Sequence, residues 1–289
     1  MSSYLGYLGP QGTFTEEIAL IYARDKDAPV LKELNGIDEI IEGVANGELE
    51  EGIVPLENSL EGSVNITLDM LVQNEVYIYK ELIYPISHCL LVPPGVSLQD
   101  IKIVYSHSQA LSQCRQYLKR TLPEAARVPV DSTGAAAGKV AAREESAAAI
   151  APARAASIFG LQILASDIHD GDGMEKGKND NLTRFVVISN RDHPPTGRDK
   201  TSLIFSIKDG PGSLYGILGI FAGRHINLTR IESRPSRRNL GEYLFFIDFQ
   251  GHREENNIID AMAALPEQVE FLKMLGSYPQ ELYEERARG

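Results

Sequence analysis

The chain contains no tryptophan and only two cysteines in 289 residues. Cys89 and Cys114 have no metal-ligand spacing, and two thiols do not make a disulfide scaffold, so a reduced, cytoplasmic setting is expected. Positive charge is also scarce. The 28 Lys and Arg residues against 40 Asp and Glu leave a net charge of -12, which disfavours nucleic acid and anionic membrane as partners. Any anionic substrate must then be held by local dipoles and a few placed cations. No apolar run reaches the roughly 20 residues that a membrane helix requires, and the start of the chain carries no basic segment of a signal peptide. A soluble intracellular protein is expected. What remains is an ordinary globular composition, long enough for two domains with a core each.

Strand and helix alternate through the first two thirds. Tyr4 to Leu8 reads as a strand that ends in Gly9-Pro10-Gln11-Gly12-Thr13 before a helix to about Arg24. Thr13 and Glu16 have capping-box spacing, and the two glycines would let an anion approach the free N–H groups of the helix start. The loop lacks the Gly-Lys-Ser/Thr ending of a Walker sequence and is not Gly-x-Gly-x-x-Gly, which argues against a nucleotide. A short buried strand, Gly52 to Val54, runs into Glu57, Asn58 and Ser59, at the strand end where open α/β sheets bind ligands. The extended run Val76 to Val92 is too long for one strand and suits a crossing between lobes. A strand from Ile101 to Tyr105 then leads to Ser106 and a helix from Ser108 to about Leu122, in which Gln109 and Gln113 share a face. Asp131, Ser132 and Thr133 cap a helix running to Glu144. Ser166 to Lys178 reads as a polar connection whose Asp-x-Asp-Gly piece lacks the remaining calcium ligands. Asn181-Leu182-Thr183-Arg184-Phe185 places a hydroxyl and a fixed cation at the mouth of a last buried strand.

Residues 191–200 have linker composition, and beyond them the pattern changes. Leu214, Ile217, Leu218 and Phe221 mark an amphipathic helix between predicted strands, and the whole reads βαββαβ, the ferredoxin-like arrangement. A charged, exposed tail is expected from Ser277.

Six pieces in sequence order carry a family resemblance: Gly9 to Thr15, Pro55 to Val64, Ser106 to Cys114, Thr183 to Phe185, Gly212 to Leu214 and Glu232 to Pro235. Together they resemble the prephenate dehydratases that carry a C-terminal ACT regulatory domain. Ser108 departs from the proline usual there, and Ser213 from the frequent alanine. The resemblance implies an α/β catalytic domain over 1–190 with two lobes like a periplasmic solute-binding protein, one about 1–80 with 180–190, the other about 85–178. It implies a ferredoxin-like ACT domain over 201–277 and a tail over 278–289.

The implied reaction is decarboxylating dehydration of prephenate to phenylpyruvate, with no cofactor and no metal. The implied catalytic set is Thr183, Arg184, Phe185, Glu57, Asn58 and Ser59. Thr183 would give or relay the hydrogen bond to the leaving hydroxyl, with Glu57 as the alternative acid. Thr13, Ser106, Gln109, Gln113, Ser132 and Thr133 would bind the substrate. Phenylalanine would inhibit by binding at an interface of ACT domains, against Gly212, Ser213, Leu214, Asn227, Leu228, Glu232, Ser233, Arg234 and Pro235. Such binding requires a homodimer or homotetramer. Arogenate as substrate, or a non-catalytic amino-acid sensor, are the alternatives. The dehydratase pattern starts near Met1, so no fused chorismate mutase segment is expected.

Overall fold

The computed structural model describes residues 3–24, 26, 29–142, 146–170, 181–207, 210–236 and 242–281. By its contacts the chain divides into two compact units: residues 1–40, 52–64 and 83–185, and residues 41–51, 65–82 and 186–289.

The first sheet is built from β1 (Tyr4–Leu8), β2 (Val30–Leu34), β3 (Glu51–Asn58), β4 (Gly62–Ser63), β5 (Tyr77–Pro85) and β11 (Leu182–Ser189). Its order is β2-β1-β3-β11-β5, with β4 a short antiparallel return on β3. Helices α1 (Phe14–Ala23), α2 (Ile37–Ala45) and α3 (Asn65–Gln73) connect these strands. β2 was not read from the sequence, because Val30-Leu31-Lys32-Glu33-Leu34 has neither a buried run nor clean alternation. It is an edge strand, paired parallel to β1.

The second sheet has the order β10-β6-β9-β7-β8. Its strands are β6 (Cys89–Val92), β7 (Ile103–Ser106), β8 (Ala126–Pro129), β9 (Ala147–Ala151) and β10 (Gln162–Ala165). The central β9, all alanine and isoleucine, is buried on both faces, as a strand between two helical layers must be. Here one predicted helix is two: α4 (Ser108–Gln113) and α5 (Arg115–Thr121) break at Cys114, whose φ of -107° and ψ of 14° are not helical. Asp170 stabilises the restart by accepting from Gln116 N at 2.6 Å and Tyr117 N at 2.9 Å. α6 (Thr133–Ala141) and α7 (Ala153–Phe159) complete this layer. The chain passes between the two sheets at Ile86 to His88 and again before β11, and Ile86 N donates to Asn181 O at 2.7 Å. Two α/β sheets joined by two passages match the two-lobed fold implied by the resemblance. Most of the expected Ser166–Lys178 connection lies outside the described residues.

The C-terminal sheet has the antiparallel order β13-β14-β12-β15, from β12 (Asp199–Ser206), β13 (Leu228–Pro235), β14 (Tyr243–Gln250) and β15 (Phe271–Pro279). With α8 (Ser213–Ala222) and α9 (Asn256–Ala264) it is βαββαβ, as expected. Its core is Phe205, Ile217, Phe221, Ile247, Phe249 and Ile258 with their neighbours. Two boundaries differ from the sequence reading. β12 takes in Asp199 and Lys200, and β15 runs to Pro279 with Ser277 and Tyr278 fully buried, so no exposed tail starts at Ser277.

The unit that contains this sheet also contains α3. Arg234 Nη1 lies 2.9 Å from Asp69 Oδ1 and donates to Asn65 O at 3.0 Å, at the helix start. Lys273 Nζ donates to Val72 O at 3.3 Å and Asn74 O at 2.6 Å, at the end where carbonyls lack helical partners and cations are favoured. Lys200 Nζ meets both oxygens of the buried Glu81, at 2.8 and 2.9 Å.

Candidate active site

The turn after β3 is fixed by one side chain. Asn58 Oδ1 accepts from Leu60 N at 3.0 Å and Glu61 N at 3.1 Å, an Asx turn. Its Nδ2 therefore faces the other way, and donates to Asn181 Oδ1 at 2.7 Å, Thr183 Oγ1 at 2.9 Å and Leu182 O at 3.2 Å. Ser59 zips the same strands together, its N–H on Leu182 O at 2.8 Å and its Oγ accepting from Leu182 N at 2.9 Å. So Asn58, Ser59 and Thr183, far apart in sequence, meet at one pair of strand ends. Thr183 is 8% exposed. Because Asn58 donates to its oxygen, its own O–H is left to donate elsewhere.

Alternation separates other members of the expected set. Side chains on a strand point to opposite faces in turn, so Arg184 leaves β11 on the face away from Thr183, and Glu57 leaves β3 away from Asn58. Phe185 shares Thr183's face but is a core residue, 2% exposed.

Behind Asn58 the row continues. Asn181 Nδ2 donates to Gln113 Oε1 at 3.0 Å, the same oxygen lies 2.9 Å from His88 Nε2, and Gln113 Nε2 is 3.4 Å from Glu61 Oε1. His88 packs its ring edge-on against Phe14, with centroids 5.5 Å apart. Burial pushes the His88 imidazole down to about 4, so it is neutral at physiological pH. Gln113 thus joins the site, whereas Ser106 is fully buried and donates to Ile150 O at 2.6 Å within its own layer. His107, one residue on, only caps α4.

A second cluster surrounds the start of α1. Thr13 caps that helix, accepting from Glu16 N at 3.3 Å and donating to Leu8 O at 3.2 Å. The expected reciprocal bond is shifted by one residue, with Glu16 Oε2 accepting from Gly12 N at 2.8 Å. Arg154 on α7 completes the arrangement at 3.1 Å from the same oxygen. Gly12 has φ of 81°, which glycine adopts without strain. Ser132 caps α6 by accepting from Ala135 N at 3.0 Å, with Thr133 next to it. At Gly134 a Cβ would collide with the Gln11 carbonyl oxygen, so the loop before α1 and the start of α6 touch backbone to backbone. Two helix starts therefore lie side by side, and the positive ends of helix dipoles favour anionic groups. Gln109 is half-buried one turn before Gln113. Among the described residues no group of side chains suits a metal ion.

Sequence reasoning named Asn181 and Glu16 without a role in the site, and did not single out His88 or Arg154. Asn181 adjoins the Thr183 stretch and His88 interrupts an apolar run, and these were the available signals. The pairing of Glu16 with Arg154, 138 positions away, gave none.

In the C-terminal unit Gly212 caps α8, with Ser213 and Leu214 its first residues. Asn227 precedes β13, which carries Leu228 and Glu232 to Pro235. Glu232 pairs with Arg230, while Arg234 is committed to α3.

A two-lobed α/β fold, a polar row at paired strand ends and an appended ferredoxin-like sheet define a small-molecule enzyme class with an ACT-type domain. The prephenate dehydratase family model matches residues 5–193 and the ACT domain model residues 201–267. The chain is 42% identical to the bifunctional chorismate mutase/prephenate dehydratase of Aquifex aeolicus, over 97% of this chain and 75% of that protein. It is 38% identical to the prephenate dehydratase of Corynebacterium glutamicum, over 95% of this chain and 87% of that one. Prephenate dehydratase from Arthrobacter aurescens, solved in complex with L-Phe, superposes with a TM-score of 0.85 at 38% identity, covering 96% of this chain and 90% of that one. The chain belongs to the prephenate dehydratase family.

Proposed function

We propose that the protein is a lyase that converts prephenate to phenylpyruvate, and that phenylalanine restrains it through the ACT domain. The bond from Asn58 to Thr183 Oγ1 carries the catalytic part of this reading, because it leaves the threonine hydroxyl as a donor at a strand-end site. In the reaction the bond from ring to carboxylate breaks, the carboxylate leaves as carbon dioxide and the electron pair of the bond enters the ring. The carbon–oxygen bond para to it then breaks, and the hydroxyl leaves as water with one proton, taken up from solvent and relayed through the Thr183 hydroxyl. A hydrogen bond from Thr183 to that oxygen accounts for acceleration of about 10²- to 10⁴-fold. The paired helix starts at Thr13 and Ser132–Thr133, with the Gln113 amide, hold the dianion, so that the reacting conformer is fixed before chemistry begins. Residues 1–190 form the catalytic domain and 201–277, continued to the end of β15, the regulatory one.

Phenylalanine binding along Gly212 to Leu214 and β13 requires a second copy of the chain. An edge strand supports this: β13 borders its sheet and exposes Ile231 at 47%, while Tyr215 on α8 is 81% exposed. We propose a homodimer or homotetramer, acting in the cytoplasm.

The test is phenylpyruvate formation from prephenate, with arogenate in parallel, with and without phenylalanine. Turnover of prephenate that falls with phenylalanine supports both parts. Turnover of arogenate alone overturns the substrate, and turnover of neither leaves a sensor.

A further inference from the structure

The two backbone N–H groups at Leu60 and Glu61 determine the orientation of every amide in the row behind Thr183. They fix Asn58 with its oxygen toward the turn and its nitrogen toward Asn181. Asn181 must then present its oxygen to Asn58 and its nitrogen to Gln113. Gln113 must answer with its oxygen, since two amide nitrogens facing each other would both be donors. That same oxygen lies 2.9 Å from His88 Nε2, which therefore carries the imidazole proton. His88 is 3% exposed, and its Nδ1 has no hydrogen-bond partner among the described residues. The ring is held by Phe14 on one side and by its own backbone, whose carbonyl accepts from Ile168 N at 3.0 Å. Among the described residues the ring's one hydrogen bond is to Gln113.

We infer that His88 is a positioning residue for the dehydration, whose Nε2–H holds the Gln113 amide so that Asn181 and Asn58 keep the Thr183 hydroxyl aimed at the leaving group. Nothing in this role requires a change of protonation. A neutral ring with a fixed tautomer is what the row needs, and burial supplies it. Without that donor the Gln113 amide keeps only Asn181 on its oxygen and Glu61, at 3.4 Å, on its nitrogen, so it can shift out of place and carry Asn181 with it. The error travels along the row to Asn58, which holds both the turn and Thr183.

The inference rests on the dehydratase reading and is tested with the full chain. Glutamine carries its side-chain nitrogen where histidine carries Nε2, asparagine where it carries Nδ1, and phenylalanine keeps the ring without a donor. His88→Phe and His88→Asn are expected to lower kcat by about 10- to 100-fold, as a small misplacement of a catalytic group does. KM for prephenate is expected to move by less than about threefold, because the lost interaction acts in the transition state. His88→Gln is expected to recover most of the lost kcat. Wild-type kcat in His88→Phe, or equal losses in all three variants, would overturn the inference, the second because bulk alone would then matter. Should the variants fail to fold, ¹⁵N NMR of the wild-type imidazole decides: an Nε2–H tautomer supports the row, and an Nδ1–H tautomer refutes it. Wild-type protein with no activity on prephenate would refute the dehydratase reading instead, and leaves the tautomer measurement to decide on the row.

Discussion

Asn58 and Thr183, 125 positions apart in the chain, are joined by a hydrogen bond of 2.9 Å from the amide nitrogen to the hydroxyl oxygen. In the proposed site this direction leaves the threonine O–H to donate toward substrate. Thr183→Ala is accordingly expected to lower kcat by about 10²- to 10⁴-fold while the fold survives, and Thr183→Ser to keep most of it. Steady-state kinetics with circular dichroism checks this. Unchanged turnover in a folded Thr183→Ala would transfer the role to another group, Glu57 first.

The close approach at Gly134 makes a second expectation. Gly134→Ala forces the Gln11 carbonyl away from α6 and costs about 1–3 kcal/mol, as overpacking does. Because the displaced loop carries Gly12 and Thr13, KM for prephenate should rise along with the loss in thermal midpoint. A rise in neither would mean that the loop adjusts without strain.

For pH, the sign follows from His88. Its folded value of about 4 lies below the ordinary 6.5 because burial opposes the charged form, with His169 adding to the effect. The unfolded chain therefore binds the proton first as pH falls. Stability from this group is complete above about 6.5 and is lost progressively down to about 4, amounting to about 3 kcal/mol. Urea unfolding of wild type and His88→Gln between these limits should show the extra slope only in wild type.

The buried pair Glu81–Lys200 gives a stability prediction far from the chemistry. Lys200→Ala withdraws the cation from a carboxylate with no exposure and should cost about 3–5 kcal/mol. Replacing both residues, Glu81→Leu with Lys200→Met, should recover most of that loss, which a double-mutant cycle in denaturant would measure.

In the regulatory part, Arg234 anchors β13 to the first turn of α3. Arg234→Met should reduce the coupling between phenylalanine and turnover by about 1–3 kcal/mol, read as a rise in the concentration for half inhibition. The same response as wild type would remove α3 from the path of regulation.

What could be read from the sequence was what repeats locally. The spacing of Leu214 to Phe221 and the Ser132 cap each identify their element from neighbours alone. The break at Cys114 could not be read that way, since its cause is Asp170, some fifty positions further on. The site divides similarly. Thr183, Asn58 and Gln113 stand in recognisable motifs, but a motif does not say which way a strand turns each side chain. Thr183 and Arg184 therefore looked like companions and are on opposite faces. His88 belongs to no motif at all. Only the folded arrangement brings its nitrogen to an amide 25 positions away.

The grip of Arg234 and Lys273 on α3, with that of Lys200 on Glu81, bears on how this protein can be cut. All three cations lie beyond residue 190, and all three of their targets lie before it. A fragment ending at 190 would keep every residue of the proposed site and yet lose the lysine beside Glu81, the anchor of one helix start and the cap of the same helix's end. The C-terminal part is thus no detachable accessory: it is scaffolding for the segment that follows the Glu57–Ser59 turn, and a truncated enzyme should be judged by its solubility before its activity.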